Sequence, residues 1–509
     1  MDYHNIETKK SLLATFFAYN NSTLFYSQGI RMNDNVKIIP LFTIALIASI
    51  AWFIKPDAVE LHSWHTLIIF LSTITCIMLN VMPMGAIGLV SITIFAISAT
   101  AGAVSAKKAV TDALSGFNSD LIWLIVIAFF IAKGFIKTGL GERIALLMIR
   151  YFGKRTLGLA YALAFADLIL SPATPSSTAR SGGIIYPITK MLSQKFQSFP
   201  EDASRKKMGA YLILCISHIN DITGALFITA YAANPLIVKF ASGFGVQLSW
   251  GNWFVAAIIP AGISFFFVPI ALYFIMKPQI EETLEAHLFA KHELAKKGPL
   301  SRDELIMGST FIGILGLWLF GTTFDIHATT TVLIGLSVLI VSGVLTWDDI
   351  KSEKIAWDTL IWLSSLLMMA EFLHKLGFTT WFGDIIGDNL LFMTSMHWVI
   401  ILVVLNALYT YVHYFFASGT AQVAALYVVF LGVGIKLGIP AYPLALLLGF
   451  SSSLYGSLAP YTHARSVILF DSGYVSKKEW FSAGFIINLL NQFIFIVVGL
   501  AWWKMVGFY

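Results

Sequence analysis

Residues 171–183 read Ser171-Pro-Ala-Thr-Pro-Ser-Ser-Thr-Ala-Arg-Ser-Gly-Gly183, and strongly apolar runs flank them on both sides. No regular helix passes through Pro172 and Pro175, because each proline removes an N–H donor and clashes with the preceding turn. The flanks are too hydrophobic for a soluble loop. Irregular backbone at membrane depth is tolerated only where it is buried in protein or lines an aqueous cavity. We therefore predict a helical hairpin that dips into a membrane, with an opened tip at 172–178.

The tip carries groups that suit an anion. The hydroxyls of Ser176, Ser177 and Thr178 would lie beside free N–H groups at the start of the second arm, and helix starts attract anions. Arg180 adds a fixed cation within the first turn of that arm. The alternative is a kinked helix whose hydroxyls bond back to its own carbonyls, with Arg180 reaching out to the membrane interface.

Composition indicates an all-α polytopic membrane protein. The chain has 509 residues, of which 57% are hydrophobic and 12% charged, whereas soluble domains average about a quarter charged residues. Cys76 and Cys215 both lie within apolar runs, so neither a disulfide framework nor a cysteine-based metal site is indicated. The fold class that we expect has about eleven transmembrane helices plus two re-entrant helical hairpins in an inverted repeat.

Apolar runs of suitable length define the membrane segments. The eleven candidate spans are 37–54, 63–80, 83–104, 119–137, 209–235, 252–276, 304–323, 328–345, 357–374, 442–468 and 482–505, and the hairpins are 157–195 and 395–437. The division that we predict is an N-terminal cytoplasmic segment 1–36, a first half 37–276, a cytoplasmic linker helix 277–303 and a second half 304–509. The linker is predicted as a surface helix because its apolar residues recur at helical spacing among charges.

Lysine and arginine residues predict the orientation. The loops 141–155 and 190–208 and the segment near Lys477 are basic, whereas 379–396 has no Lys or Arg but contains Asp384 and Asp388. With the N-terminus in the cytoplasm, every basic loop falls there, and the acidic loop and the C-terminus fall outside. We accordingly expect a multi-pass membrane protein.

An internal repeat relates the two halves. Asp120-Leu-Ile-Trp-Leu is echoed by Thr359-Leu-Ile-Trp-Leu, and Lys137-Thr-Gly-Leu is echoed by Lys375-Leu-Gly-Phe at nearly the same spacing. The first tip is echoed by Ser418-Gly-Thr-Ala. In the predicted topology these units have opposite orientations. Inverted repeats with broken helices that meet at the midplane are typical of secondary transporters.

The second tip would approach the first from the opposite membrane face. Ser418, Gly419 and Thr420 would then add hydroxyls and helix-start N–H groups to those of the first tip, which suits a small molecule with two anionic ends, such as a dicarboxylate. The alternative is that Ser418 and Thr420 only cap the second arm. Capping and substrate contact are compatible.

Each hairpin is followed by an apolar span with a polar interruption. A charge at the bilayer centre is costly unless it is paired or hydrated, so Asp221 and Arg465 are functional candidates. The alternative is that they pair structurally or lie near an interface. Asp167 and Glu371 are assigned as structural or cavity-edge groups. The residues that we expect to line the cavity or take part in coupling are Asn220, Asp221, Thr223, Thr462 and His463.

Three segments resemble a known family. Ser171-Pro-Ala-Thr-Pro-Ser-Ser-Thr-Ala-Arg-Ser-Gly-Gly-Ile-Ile-Tyr-Pro187 resembles the signature of the divalent anion/sodium symporter (DASS) family, in its branch of 2-oxoglutarate/malate translocators and citrate/succinate antiporters. Gly224-Ala-Leu-Phe-Ile-Thr-Ala-Tyr-Ala-Ala-Asn-Pro-Leu236 and Ser472-Gly-Tyr-Val-Ser476 are similar to the same branch. The resemblance covers about residues 37–505. It implies eleven spans, two re-entrant hairpins, a homodimer and elevator-like transport.

The resemblance also implies roles for particular residues. The family's two Ser-Asn-Thr tips bind substrate carboxylates, and they correspond here to Ser176-Ser177-Thr178 and Ser418-Gly419-Thr420. Both asparagines, which help to build sodium sites in sodium-coupled members, are missing. The branch pattern Gly-Thr-Gly-Pro-Ala-Pro is here Thr462-His-Ala-Arg-Ser-Val467. These departures argue against sodium coupling, and Arg465 could replace a sodium charge or hold an extra carboxylate.

The leading hypothesis is therefore a sodium-independent exchanger of small di- or tricarboxylates of the 2-oxoglutarate, malate, succinate or citrate type. Substrate would bind between the tips, with Arg180 or Arg465 offsetting its charge. The alternative is a sodium- or proton-coupled uptake symporter that uses Asp221 or a histidine. A membrane-embedded enzyme is disfavoured, since the spacings offer no nucleophile–base pair or metal-ligand set. We expect no cofactor, with sodium as the doubtful case, and no nucleic-acid partner.

Overall fold

The computed structural model describes residues 37–98, 100, 102–378, 381, 385 and 394–509. The predicted N-terminal segment 1–36 and the acidic residues Asp384 and Asp388 lie outside these residues. The helices are α1 Ile38–Phe53, α2 Leu61–Met78, α3 Met84–Ile97, α4 Ala106–Ala113, α5 Asp120–Thr138, α6 Leu140–Phe152, α7 Thr156–Leu170, α8 Tyr186–Lys195, α9 Gly209–Leu226, α10 Asn234–Ser242, α11 Trp250–Ile275, α12 Leu284–Lys297, α13 Arg302–Phe320, α14 Ala328–Val341, α15 Trp347–Ser352, α16 Lys354–Lys375, α17 Trp398–Tyr411, α18 Gly419–Gln422, α19 Val428–Lys436, α20 Ala441–Leu454, α21 Ala464–Phe470, α22 Lys477–Ile494 and α23 Leu500–Met505.

These helices confirm the predicted fold class of an all-α, multi-pass membrane protein. Within the described part of the chain, 10 helical segments are long and apolar enough to cross a membrane. Shorter apolar helices, among them α1, α3 and α14, account for the remaining predicted spans. Both predicted hairpins are present as paired helices, α7 with α8 and α17 with α19.

The centre of the molecule is formed by α9 and α20, which pack against each other. Every residue of α9 is buried, and so is every residue of α20 from Pro443 to Leu454. The two helices end within the protein at the predicted polar interruptions. After α9 the chain makes a short 3-10 turn at Ile228–Ala230 before α10 begins. The Asn234 side chain donates to the carbonyls of Gly224 and Phe227, at 2.8 and 2.9 Å, and so satisfies acceptors that the broken helix leaves free.

The repeat register is visible in two equivalent glycines. Gly139 ends α5 with a φ of +75°, and Gly377 follows α16 with a φ of +78°, a left-handed conformation that favours glycine. The two helices run in opposite directions. Lys137, near the end of α5, pairs with Asp349 just before α16 at 2.6 Å, whereas Gly116, just before α5, lies against the Ser364 carbonyl midway along α16. An inverted repeat requires this antiparallel relation.

The structure differs from the sequence prediction around the basic loop 141–155. This segment forms most of the amphipathic helix α6, whose buried side packs against α7 and α12. Arg143 of α6 is buried because Glu304 accepts two of its hydrogen bonds, at 2.6 and 3.0 Å, and the carbonyls of Gly298 and Pro299 accept others. The linker contains the expected helix, α12, whose buried residues are Ala286, Ala290 and Leu294. The assignment of separate halves stays a prediction.

Candidate functional site

Both hairpin tips open in the same way. After α7 the chain makes a 3-10 turn at Ser171–Ala173 and becomes extended at Thr174, and the second arm begins with a π-helical segment, Thr178–Ile185. After α17 a 3-10 turn and an extended stretch lead into α18, and a π-helical segment follows at Val423–Tyr427. π-Helical turns are rare and are often found at functional sites. Neither hairpin is a continuous kinked helix.

The first serine of each tip caps the arm that follows. Ser176 Oγ accepts a hydrogen bond from the Ala179 amide at 3.0 Å, and Ser418 Oγ accepts one from the Ala421 amide at 3.3 Å. This identical spacing agrees with the alignment of the two tips. Capping satisfies only one of the free N–H groups at a helix start, so other donors remain available there.

The second tip borders a cavity. A cavity of about 60 Å³ lies between this tip and helices α2 and α16. Its lining residues are Ile74, Ile77, Met84, Trp362, Leu366, Ser418, Thr420 and Ala421. In the first tip Thr178 is half-buried, whereas Ser177 is 4% exposed and lies within the protein.

Each hairpin contacts the helix that follows the polar interruption of the other half. The π-helical start of the first hairpin's second arm packs against α21, which follows the interruption in the second half. Reciprocally, the π-helical segment of the second hairpin packs against α10, which follows the interruption in the first half. The second arm of each hairpin therefore packs against the interrupted helix of the other half. Both hairpins lie next to the two interruptions as a result.

Arg180 is held entirely by protein groups. It is fully buried, and its Nε donates to Asp167 Oδ1 at 2.9 Å. Its Nη1 donates to the carbonyls of Thr174 and Ala230, at 2.7 and 3.2 Å, and its Nη2 to the Thr223 hydroxyl at 3.3 Å. One guanidinium thus joins the first hairpin arm, the first tip and the first interruption.

Asp167 connects Arg180 to helix α9. Its carboxylate accepts hydrogen bonds from Asn220 Nδ2 at 3.0 Å and from the Thr223 hydroxyl at 2.5 Å, in addition to the one from Arg180. The sequence indicated only a structural or cavity-edge group at this position. Its thirteen-residue separation from Arg180 places the two on opposite arms of the hairpin, so the pairing depends on how the hairpin closes.

Arg465 forms the second buried charge pair. It is 2% exposed, donates to Asn220 Oδ1 at 2.5 Å and forms a short ion pair with Asp221 Oδ1. Gly456 allows this approach, because a Cβ atom there would lie 2.5 Å from both Arg465 Nη2 and Asp221 Oδ1. Asn220 bridges the two pairs, since its NH₂ group contacts Asp167 and its carbonyl contacts Arg465. Two cations and two carboxylates therefore balance within one network.

The remaining predicted residues lie around this network. Thr462 closes the second interruption by donating to the Gly456 and Ala459 carbonyls, at 3.2 and 2.8 Å. The His463 ring lies 5.6 Å from the Tyr231 ring. His413 stacks on Tyr455 at 3.8 Å, and Tyr455 donates to the Gly419 carbonyl at 3.2 Å. Outside the network, Glu371 pairs at 3.0 Å with Lys239 of α10. Substrate contact by these groups stays a prediction.

Sequence reasoning missed two groups. Tyr231 follows the first interruption and its hydroxyl lies directly against Gly419 of the second tip. Ser457 accepts a hydrogen bond from Arg465 at 3.4 Å and shares another with Ser217 of α9 at 2.7 Å. The signal for Tyr231 was a tyrosine next to a polar interruption. Its neighbour Gly419 lies far along the chain, so the sequence did not show the contact.

Known proteins resemble this chain over most of its length. The family described as "Sodium:sulfate symporter transmembrane region" matches residues 35–509. YflS of Bacillus subtilis (strain 168), named as a candidate malate transporter, is 44% identical over 93% of this chain and 97% of its own. "Dicarboxylate transporter 1, chloroplastic" of Spinacia oleracea is 38% identical over 93% of this chain and 82% of its own. The "Citrate/succinate antiporter" of Escherichia coli (strain K12) is 34% identical over 88% of this chain and 95% of its own.

The fold also resembles a solved transporter. The crystal structure of the Alcanivorax borkumensis YdaH transporter aligns with a TM-score of 0.51 at 14% identity, over 76% of this chain and 85% of that chain. At this identity the likeness concerns the fold alone. The family match, by contrast, spans every helix described above, and it includes the hairpin stretch Ser171–Gly183. The chain therefore belongs to the sodium:sulfate symporter family, also called the divalent anion/sodium symporter family.

Proposed function

We propose that the protein exchanges small dicarboxylates across the bacterial inner membrane without sodium, by an elevator movement. The observation that carries this proposal is the pair of opened, serine-capped tips gathered around a charge-balanced buried network. Hydroxyls and helix-start N–H groups at two opposed tips suit the two ends of a dicarboxylate. The names of the relatives support the same substrate class.

The charge balance favours dicarboxylates over citrate. Arg180 and Arg465 were both candidates for offsetting substrate charge, but their guanidinium groups are occupied by Asp167, Asp221 and neutral acceptors. A third carboxylate would need a further counter-charge, since an unpaired charge in a low-dielectric site is unfavourable. In this proposal the two arginines position the tips, and the tips bind the substrate.

The residues present do not fit a sodium site at the second tip. Sodium is a hard cation that takes oxygen ligands, as calcium and magnesium do. Position 419 carries no side-chain oxygen, and a side chain there would collide with the Tyr231 hydroxyl and approach Tyr455 within 3.2 Å. The Arg465 guanidinium already supplies a fixed positive charge beside Asn220 and Asp221. No step of the proposed cycle therefore involves sodium.

The unpaired donors of the empty tips favour exchange over one-way uptake. Without substrate, helix-start N–H groups and hydroxyls would have to cross the apolar barrier unpaired, which costs several kcal/mol. A bound dicarboxylate satisfies them, so the loaded form moves far more readily than the empty form. The moving part that we propose contains α7–α11 and α17–α23, because α11 packs closely against α9 and α22 and because α22 and α23 form one span that ends at Met505. At the second tip this part meets α2 and α16 around the cavity. A homodimer would hold the second part fixed, with the N-terminus cytoplasmic and the C-terminus periplasmic.

Counterflow in proteoliposomes tests this function. Vesicles loaded with labelled malate in sodium-free buffer should release the label only when external malate or succinate is added. A Ser176→Ala, Ser418→Ala double variant should lose this release. Ser309→Ala is the matched control, because this exposed serine of α13 bonds only within its own helix, to the Ile306 carbonyl at 3.1 Å. Release that needs sodium, or no release under any gradient, would overturn the proposal.

A second candidate is proton-coupled uptake. The observation that favours it is the outer oxygen of Asp221, Oδ2, which is buried and finds no hydrogen-bond partner among the described residues. His218 Nδ1 lies 3.8 Å from it. Such a carboxyl could carry a proton across the membrane. Accumulation of malate in empty vesicles under an imposed pH gradient would favour this candidate over exchange.

A further inference from the structure

Tyr231 occupies a position that links the two halves of the site. It ends the 3-10 turn between α9 and α10, in extended backbone with φ −142° and ψ 129°. Its side chain leaves the first half and lies between two elements of the second half. One is Gly419 of the second tip, and the other is His463 at the start of α21, with the two rings 5.6 Å apart.

Gly419 is enclosed by two phenols. A Cβ atom there would collide with the Tyr231 hydroxyl and would lie 3.2 Å from Tyr455 Cε2. The two tyrosines differ in their hydrogen bonding. The Tyr455 hydroxyl donates to the Gly419 carbonyl at 3.2 Å. The Tyr231 hydroxyl faces Thr420, yet it meets hydrogen-bond geometry with no group of the described chain.

The Tyr231 hydroxyl is also well buried. Tyr231 is 5% exposed, so water does not solvate its hydroxyl freely. Buried polar groups in proteins almost always have a partner, and the exceptions call for an explanation such as a missing ligand. His463 Nδ1, on the neighbouring ring, is also buried without a partner among the described residues. These two unpaired atoms lie beside the second tip, where His413 Nε2 is a third. The Thr174 and Ser181 hydroxyls near the first tip also lack a partner among the described residues, but only the Tyr231 hydroxyl joins the first half to the second tip.

We propose that Tyr231 is a substrate-binding residue whose hydroxyl donates a hydrogen bond to the dicarboxylate end bound at the second tip. The inference rests on the proposed function. It adds Tyr231, a residue of the first half, to the binding groups of the tip in the second half. A phenol is a neutral donor, so it recognises this carboxylate without adding a charge to the balanced network. The hydroxyl lacks a partner in the substrate-free protein because its partner is the substrate.

The test compares Tyr231→Phe with Tyr211→Phe. Tyr211 of α9 is 1% exposed and also belongs to the first half, but its hydroxyl donates to the Pro269 carbonyl at 3.0 Å, away from both tips. Titration calorimetry of purified protein with succinate and with malate gives the affinities, and melting of the ligand-free protein gives the stability. Each variant removes one oxygen atom and keeps the ring.

Tyr231→Phe should weaken the binding of both dicarboxylates by about tenfold or more, since hydrogen bonds to charged groups are strong. It should not lower the ligand-free melting temperature, because the hydroxyl that it removes has no partner. Tyr211→Phe should show the opposite pattern, with a lower melting temperature and unchanged affinity. Unchanged affinity of Tyr231→Phe, or a loss of its ligand-free stability or folding, would overturn the inference. If the wild-type protein binds neither dicarboxylate, the proposed function itself fails.

Discussion

Removing Arg465 tests the charge network most severely. In Arg465→Met the carboxylate of Asp221, which is fully buried, loses its counter-ion. The Asn220 carbonyl loses a donor at 2.5 Å at the same time. In Asp221→Asn the guanidinium keeps Asn220 and Ser457 as acceptors but loses its charge partner. Each single variant therefore leaves one buried charge uncompensated.

The expected magnitudes follow from this geometry. Breaking a buried ion pair by removing one partner destabilises a protein by about 3–5 kcal/mol, whereas replacing both partners with neutral groups is often nearly neutral. We expect each single variant to lose about 3–5 kcal/mol of unfolding free energy. The double variant Asp221→Asn, Arg465→Met should lose only about 1 kcal/mol, which gives a coupling energy of about 5–9 kcal/mol between the two residues.

The two cysteines of the chain provide the assay. Cys76 and Cys215 are both buried and free, so a thiol-reactive fluorophore labels them only as the protein unfolds. Unfolding in detergent, followed with this dye for the wild type, both single variants and the double variant, completes the cycle. If the double variant is as unstable as the sum of the single variants, the network is not coupled as the contacts indicate. Similar stabilities for all four proteins would refute the burial argument as well.

Three further predictions use other parts of the structure. Ser176→Ala and Ser418→Ala each remove a helix cap and should each lower the unfolding free energy by about 1 kcal/mol, measured by the same dye, while raising the KM for exchange. Gly456→Ala inserts a Cβ atom 2.5 Å from both atoms of the buried ion pair, and its melting temperature should fall nearly as far as that of the arginine variant. Partial burial opposes ionisation of Asp349, but hydrogen bonds, above all from Lys137, outweigh it and lower its pKa to about 2. Because this pKa lies below the unfolded value of about 4, the stabilisation is present above pH 4 and is lost as the pH falls towards 2. The difference in melting temperature between wild type and Asp349→Asn should therefore be largest near pH 7 and shrink below pH 4.

Local chemistry explains why the hairpins could be predicted. Pro172 and Pro175 exclude a regular helix from sequence alone, and the apolar flanks require that the break lies inside the membrane. The repeat was visible for a similar reason, since Gly139 and Gly377 serve the same left-handed turn in both halves. The Ser176 cap and its counterpart follow from their position at a helix start.

The ion-pair partners of the buried arginines could not be established from the sequence, because each pairing depends on how the chain folds. Arg465 and Asp221 lie 244 positions apart, so the sequence offered their pairing only as an alternative to substrate contact. Arg180 was expected to offset substrate charge because its partner, Asp167, could be identified only once the hairpin was closed. The basic residues of 141–155 predicted a loop, but Leu140–Phe152 is a helix. Its Arg143 is buried because it pairs with Glu304.

A structure of the protein with saturating malate in sodium-free buffer would show whether both tips bind one substrate molecule. We expect one malate between the hairpins, with one carboxylate at Ser176–Thr178 and the other at Ser418–Thr420, and with the Arg180–Asp167 and Arg465–Asp221 pairs intact. A malate bound at one tip only, at a site away from both tips, or directly to a guanidinium released from its carboxylate would contradict this expectation.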